Sequence, residues 1–192
     1  MRISEAEFKR KRLFVHQLLA DVPLHDVWAV RLKGGGTGRT LADLQRQLGS
    51  SRALESANPA VMALFRLRAL LGQIFRWDVK PQGIHPNSYL YRLPADMRAQ
   101  SQITPGSKDA FNRIYAFENE SLSEVINRTV HAFLHMSLQA DGDDYVLFLA
   151  VYVKAVNALT PFYMALIDPF RHWIVYPAAL RQIAQKWAAA YA

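Results

Sequence analysis

The chain has 192 residues, of which 51% are hydrophobic and 20% are charged, and it contains no cysteine. A chain of this length and composition buries a sizeable core without covalent staples. The missing thiols exclude disulfides, zinc–thiolate sites, iron–sulfur clusters and cysteine nucleophiles. We predict a cytoplasmic protein and a single domain, with an N-terminal helix at residues 1–23 and the rest of the domain at 24–192.

The formal net charge of +7 raises the question of a polyanionic partner. Basic residues cluster only at Lys9–Arg12, and the sequence has no helix-turn-helix, aromatic RNA-binding signature or zinc module. We therefore predict a generally basic, solvated surface and no nucleic-acid partner. Contact of a membrane surface through this basic helix and an aromatic C-terminal helix is a weaker alternative.

The first half of the chain is mainly helical in pattern. Residues 4–20 predict one amphipathic helix, and Leu24–Leu32 predicts a strand with Asp26 as the polar exception on its apolar face. Thr40 is a predicted N-cap for a helix at Leu41–Leu48. A second, largely buried helix is predicted from about Pro59 to Trp77.

Residues 80–108 are rich in proline and glycine and predict a long irregular connection, a candidate lid, with one short strand at Ser88–Leu93. Extended segments follow at Phe111–Glu118, Leu122–Leu138 and Tyr145–Val156, joined by short turns that force antiparallel pairing.

A long terminal helix is predicted from Thr160 to Ala192, jogged at Pro169 and Pro177. Asp168 and Arg171 in its middle argue against a membrane span, because their burial in hydrocarbon costs several kcal/mol. The predicted fold class is α+β, an antiparallel sheet packed on a long C-terminal helix with N-terminal helices added.

Four segments carry a resemblance to a known family. In chain order they are His25–Trp28 (HDVW), Gly34–Thr40 (GGGTGRT), Asn127–Phe133 (NRTVHAF) and Thr160–Arg171 (TPFYMALIDPFR). Together they resemble the DUF2867 family of uncharacterised bacterial proteins, over most of the chain from about His25 onward.

The resemblance and the order of elements imply a START-like (SRPBCC) helix-grip fold, in which a curved sheet grips the last helix around an apolar cavity. Members of the family stand alone or follow a nicotinamide-binding oxidoreductase domain, which implies a small-molecule context. This chain has no Rossmann fingerprint. Any redox partner would be a separate oxidoreductase.

The function predicted from this architecture is binding of a hydrophobic or amphipathic small molecule between the sheet and the terminal helix. The alternative is that the same aromatic side chains simply fill the core. The predicted ligand-binding residues are Trp28, Arg39, Phe117, Arg128, Phe133, Tyr152, Tyr163, Met164, Asp168 and Phe170.

A cofactor-independent enzyme of the cyclase, isomerase or dehydratase type is the second hypothesis for this cavity. His131 and Glu124 are its candidate proton-transfer groups. His131, Phe133 and His135 share one face of a strand, which either lines the cavity or forms the solvated outside of a one-sided sheet, and we expect the solvated outside. Along a strand the two histidines lie too far apart to bind one metal ion, and we predict neither a metal nor a cofactor.

The glycine-rich segment lies between a predicted strand and a predicted helix, where phosphate-binding loops occur. It departs from the Walker pattern, since Arg39 stands at the lysine position. Two interpretations remain open, a simple anion site and a turn that permits close packing. The anion site would consist of Gly34, Gly35, Gly36, Thr37, Gly38 and Arg39.

Asp168 stands on an otherwise apolar part of the terminal helix. A buried carboxylate needs a partner, and Arg39, Arg171 or Tyr163 could supply it. Two roles for Asp168 remain open: a member of a structural ion pair, and a polar anchor in a ligand pocket.

Overall fold

A computed structural model describes residues 1–48, 84–102, 112–128 and 130–192. Five antiparallel strands form its central sheet in the order β1-β5-β4-β3-β2. The strands are β1 (Leu24–Leu32), β2 (Asn112–Ala116), β3 (Glu120–Ile126), β4 (Val130–Asp141) and β5 (Asp144–Ala155). The helix predicted from about Pro59 to Trp77 lies outside the described residues.

Along the chain, helices lie before β1, between β1 and β2, and after β5. The α-helices are α1 (Glu5–Lys9), α2 (Val15–Leu18), α3 (Leu41–Leu48), α4 (Ala95–Gln100), α5 (Leu159–Phe170) and α6 (Tyr176–Tyr191). A 3-10 helix spans Tyr89–Arg92, and a π-helix at Arg171–Val175 joins α5 to α6. None of the helices within the described ranges is both long enough and apolar enough to cross a membrane.

Both faces of the sheet are covered. On one face Phe133 of β4 lies opposite Tyr152 of β5, and both join a core with Phe8 and Leu19 from the N-terminal helices. On the other face Leu149 and Val151 of β5 pack against Tyr176 and Leu180 of α6, with Leu134 and Met136 beside them.

The prediction that the His131 face is solvated is therefore wrong. His131 is buried and His135 is fully buried, because the N-terminal helices and the 3-10 helix at Tyr89–Arg92 pack over this face. Sequence alternation identified which residues share the face, but not the layer that covers it.

The N-terminal helix predicted over residues 4–20 is two short helices. Glu120, on β3, accepts hydrogen bonds from the backbone N–H of Phe14 at 3.0 Å and of Val15 at 2.9 Å. A carboxylate in this position satisfies the free donors at the start of α2 and favours a new helix start there. A contact with a residue 105 positions away overrides the local pattern.

Two strand predictions are also wrong. The segment Leu122–Leu138 is a hairpin, because Asn127 Oδ1 accepts from the N–H of Val130 at 2.9 Å and closes a turn. Ser88–Leu93 is largely a 3-10 helix, whose first turn is capped by Ser88 Oγ accepting from the N–H of Leu90 at 3.1 Å.

Other predictions are confirmed. β1 has the predicted bounds, and α3 begins after Thr40, where the Asp43 N–H donates to Thr40 Oγ1 at 3.3 Å and the Thr40 N–H donates to Asp43 Oδ2 at 2.8 Å. Antiparallel pairing holds throughout the sheet. The terminal helix departs from α geometry two residues after Pro169, close to the predicted jog.

Candidate functional site

A β-bulge shapes the beginning of β1. Leu24 lies opposite Tyr152, whereas Asp26 lies opposite Val151, so the register shifts between them. In a regular strand adjacent side chains point to opposite faces, and a bulge relaxes that alternation. As a result His25 and Asp26, although adjacent in sequence, both contact the C-terminal helical segment.

A matching irregularity occurs in that segment. The π-helix begins at Arg171, and its first two side chains both reach one carboxylate. Arg171 Nη2 lies 3.0 Å from Asp26 Oδ2, and His172 Nε2 lies 3.1 Å from the same oxygen. The side chains of adjacent residues on an α-helix point about 100° apart. The wider π turn changes this angle, so that both side chains reach Asp26. π turns are frequent at functional sites.

Arg171 joins two carboxylates. Its Nη1 donates to Asp168 Oδ1 at 2.7 Å while its Nη2 donates to Asp26. His25 Nε2 completes the cluster at 2.8 Å from Asp168 Oδ2 and 3.0 Å from Asp168 Oδ1. The Asp26 side chain is fully buried, whereas those of His25 and Asp168 remain 26% and 22% exposed. The cluster thus extends from the interior to the surface.

The surroundings of Arg171 keep it charged. Burial lowers the pKa of its guanidinium, but Tyr176 and the carboxylate of Asp26 outweigh burial and raise it overall. Burial also raises the pKa of the Tyr176 hydroxyl, to which Arg171 donates a hydrogen bond. Trp28 closes this side of the cluster, with its ring centroid 5.1 Å from that of Tyr176.

A surface groove of about 350 Å³ opens beside the cluster. His25 and Asp168 contribute its charged or ionisable wall. The remaining lining residues are Val153, Ala155, Thr160, Pro161, Met164 and Ala165. The groove is therefore mainly apolar with one polar side, which is the usual composition of a small-molecule site.

A family model described as "Protein of unknown function (DUF2867)" matches residues 18–178. The match covers most of the chain and includes all four segments that carried the resemblance. The chain belongs to the DUF2867 family. Searches of curated proteins and of solved structures gave no match. In this DUF2867 protein the segments His25–Trp28 and Thr160–Arg171 meet in the polar cluster.

The predicted ligand-binding residues divide between several places. Met164 and Asp168 line the groove. Tyr163 is buried next to Met164, and Trp28 packs against Tyr176. Phe170 is exposed on the outer surface of α5, in a helical stripe of large apolar side chains completed by Leu159, Phe162, Leu166 and Trp173.

Three other predicted residues lie on the opposite face of the sheet from the groove. Phe133 packs edge-on against Tyr89, and Phe117 stacks on Tyr115. The hydroxyl of Tyr152 lies 3.4 Å from His16 Nδ1. Phe133 and Tyr152 belong to the core under the N-terminal helices, whereas Phe117 is partly buried against that core and lines a second surface groove of about 470 Å³.

The candidate proton-transfer groups Glu124 and His131 also lie under that layer. They form a buried pair with 3.0 Å between Glu124 Oε2 and His131 Nε2. Glu124 also accepts hydrogen bonds from the Ser88 hydroxyl and from the N–H of Tyr89. This environment is typical of a structural buried pair, and the catalytic role stays a prediction.

The glycine loop lies at the far end of β1 from the cluster. The Gly34 N–H donates to Asp144 Oδ1 at 2.7 Å, and the Arg39 N–H donates to the Tyr145 hydroxyl at 2.9 Å. A Cβ built on Gly35 would lie 2.8 Å from the Trp187 ring, so glycine permits close contact with α6. These contacts favour the packing interpretation, and anion binding stays a prediction.

The remaining predicted residue, Arg128, is exposed, and its carbonyl accepts from Asn157 Nδ2 at 2.7 Å.

The basic segment Lys9–Arg12 lies on the side of the sheet away from α5, where Lys11 Nζ sits over the Phe148 ring. The basic segment and the exposed aromatic stripe therefore do not form one continuous membrane-facing surface.

Sequence reasoning missed His25, Asp26 and His172 as members of the site. Asp26 gave the clearest signal, because it was the polar exception on an apolar strand face. His25 belongs to the HDVW segment, and His172 directly follows the segment Thr160–Arg171. Pro169 predicts a departure from helical geometry there, but local pattern does not predict the bulge or the contacts that the two irregularities allow.

Proposed function

We propose that this DUF2867 protein binds a small amphipathic molecule in the groove beside α5. The observation that carries the proposal is a partly exposed pair, His25 and Asp168, on the wall of an otherwise apolar groove. Charged side chains that are largely removed from water are unfavourable unless they are paired or take part in binding or catalysis. Arg171 holds this pair in place through its hydrogen bond to Asp168. The apolar part of the ligand would lie against Met164 and Val153.

A helix-grip (START-like) fold is part of the same proposal. The strand order β1-β5-β4-β3-β2 and the long terminal helix beside β1 support it. In that fold a ligand lies between the sheet and the last helix. The position of the groove supports this proposal, since its lining comes from β1, β5 and α5, and α5 begins the terminal helical segment.

The charge of the cluster favours some ligands over others. Two carboxylates, Asp26 and Asp168, face one guanidinium, that of Arg171, when His25 and His172 beside them are neutral. An anionic head group at the polar wall would meet this local excess of negative charge. We therefore propose a neutral or cationic head group, with a hydroxyl or an amine as its simplest form.

Three probes with the same chain and different head groups test this choice. Nuclear magnetic resonance (NMR) titrations of the full chain with 1-octanol, octylamine and octanoate should shift backbone amide signals around the groove. We expect 1-octanol or octylamine to bind at least several-fold more tightly than octanoate. Shifts confined to residues under the N-terminal helices, or no saturable shifts, would contradict the proposal.

A blocking variant tests the location. Ala165 is an exposed residue of α5 that lines the groove. Ala165→Phe should fill the groove and weaken binding of 1-octanol and octylamine at least tenfold. Ala189→Phe, at an exposed position of α6, is the matched control and should bind both probes as the unmodified protein does. Equal binding by both variants would place the probes elsewhere.

A further inference from the structure

Three ligand-type side chains converge at the bulge. A ring nitrogen of His25 and one carboxylate oxygen each from Asp26 and Asp168 lie within 4.8 Å of one another. They come from two parts of the chain more than 140 residues apart, which the bulge in β1 and the helical segment bring together. A histidine with two carboxylates is a donor set found around divalent transition metals.

Three of the four oxygens of the two carboxylates have partners. Arg171 donates to Asp168 Oδ1 and Asp26 Oδ2, and His172 Nε2 also lies 3.1 Å from Asp26 Oδ2. His25 Nε2 lies 2.8 Å from Asp168 Oδ2 and 3.0 Å from Asp168 Oδ1. Asp26 Oδ1 has no hydrogen-bond partner among the described residues, although Asp26 is only 3% exposed.

A buried carboxylate oxygen without a partner is unfavourable, and each such group in a folded protein requires an explanation. A bound cation supplies one, because it would use the oxygen that Arg171 leaves free. The charge fits as well, since two carboxylates and one guanidinium leave an excess of negative charge when His25 and His172 are neutral, and a metal-binding histidine must be neutral.

We infer that His25, Asp26 and Asp168 bind one divalent transition-metal ion, with Arg171 orienting both carboxylates from behind. Metal–nitrogen and metal–oxygen bonds of about 2.1 Å bring neighbouring ligand atoms to about 3 Å, so the three donors must draw together by up to about 2 Å. The partial exposure of His25 and Asp168 provides a path of entry.

The ligand set selects among metals. An imidazole nitrogen suits zinc(II) and related transition metals, whereas magnesium(II) prefers oxygen donors alone and retains its water. Zinc(II) is therefore the probe for binding, and magnesium(II) is the probe for selectivity. The inference goes beyond the amphipathic ligand, but the ion would share the polar wall with the ligand's head group, so the titrations with 1-octanol, octylamine and octanoate use the EDTA-treated protein.

The test is a calorimetric titration of the full chain after treatment with EDTA and desalting. We expect one equivalent of zinc(II) to bind, and magnesium(II) to bind at least a hundredfold more weakly. His25→Gln and Asp168→Asn should each weaken zinc binding at least tenfold. His85→Gln removes another histidine, on a segment distant in sequence, and should leave zinc binding unchanged.

Two results would overturn the inference. One is the lack of saturable binding of one equivalent of zinc(II), and the other is unchanged binding by the folded His25→Gln protein. The proposed function is judged separately, by 1-octanol binding of the unmodified, EDTA-treated protein, which needs no metal ion. Failure of zinc binding with saturable octanol binding thus overturns this inference alone, and the reverse result overturns only the proposed function.

Discussion

His25 Nε2 lies 2.8 Å from Asp168 Oδ2, although 143 residues separate the two positions in the sequence. The contact ties the first residues of β1 to the middle of the terminal helical segment. Since Asp168 also binds Arg171, and Arg171 binds Asp26, the four side chains hold the sheet and the helix together at the edge of the groove.

Removing the guanidinium of Arg171 should destabilise the fold strongly. Arg171→Met leaves the fully buried carboxylate of Asp26 without its guanidinium partner. Breaking one side of a buried pair lowers the free energy of unfolding by about 3 kcal/mol or more. Urea unfolding followed by circular dichroism measures the change.

The matched control for that variant is Arg181→Met. Arg181 is exposed on α6, and surface substitutions of this kind change the free energy of unfolding by less than about 0.5 kcal/mol. Similar losses for both variants would mean that the buried cluster does not stabilise the protein.

The glycine loop should tolerate a methyl group at one position and not at another. Gly35 has φ +109°, and its added Cβ would lie 2.8 Å from Trp187. Gly36 has φ +65° and no atom within 4 Å of an added Cβ. Gly36→Ala should cost about 1 kcal/mol from backbone strain alone, and Gly35→Ala should cost at least twice as much.

Thermal unfolding of the two alanine variants provides the comparison. We expect a larger loss of melting temperature for Gly35→Ala, from its contact with Trp187 together with a φ outside the left-handed well. Equal losses would contradict close packing of the loop on α6.

Glu120 should make the protein sensitive to acid. Burial raises the pKa of this carboxyl, but hydrogen bonds from His135 and Tyr115 and from the N–H of Phe14 outweigh burial and lower it overall. A lowered pKa stabilises the folded state above the ordinary pKa of a carboxyl. This contribution is lost as the pH falls through the folded-state pKa.

Comparison with Glu120→Gln isolates this effect. The difference in free energy of unfolding between the unmodified protein and Glu120→Gln should be largest near neutral pH and shrink as the pH falls below about 5. Glu5→Gln is the control at an exposed carboxylate, and its difference should stay small throughout. A constant difference for Glu120→Gln down to pH 3 would contradict the assignment.

Glu124 should stabilise the fold without affecting the groove. It is fully buried and accepts hydrogen bonds from Ser88 and Tyr89 on the face away from α5. Glu124→Gln should lower the free energy of unfolding by about 1–3 kcal/mol and leave binding of 1-octanol unchanged. A folded variant with weakened octanol binding would show that the two faces of the sheet are coupled.

Local pattern predicted the elements whose structure is determined locally. The alternation in β1 and the Thr40 cap of α3 are examples, because strand faces and helix caps depend on near neighbours in sequence. Asn127 is a turn-forming residue inside a long apolar segment, and the prediction of one continuous strand there gives too little importance to this residue.

The remaining errors depend on distant contacts. Glu120 divides the first helix from across the sheet, and the N-terminal layer buries His131. Likewise, the site requires a bulge at His25 and a π turn at Arg171 at the same time. The bulge has no distinctive residue pattern, and Pro169 indicates a jog in the helix but not the contacts that result, so Asp26 and Asp168 stand in the sequence as separate polar exceptions.

The methyl group of Met164 offers the most direct test of the groove as a ligand site. It lines the groove, whereas Met97 packs against the core under the N-terminal helices. In protein labelled with ¹³C at the methionine methyl groups, 1-octanol or octylamine should shift the Met164 signal saturably and leave the Met97 signal in place. A saturable shift of Met97 with an unchanged Met164 signal would contradict the account.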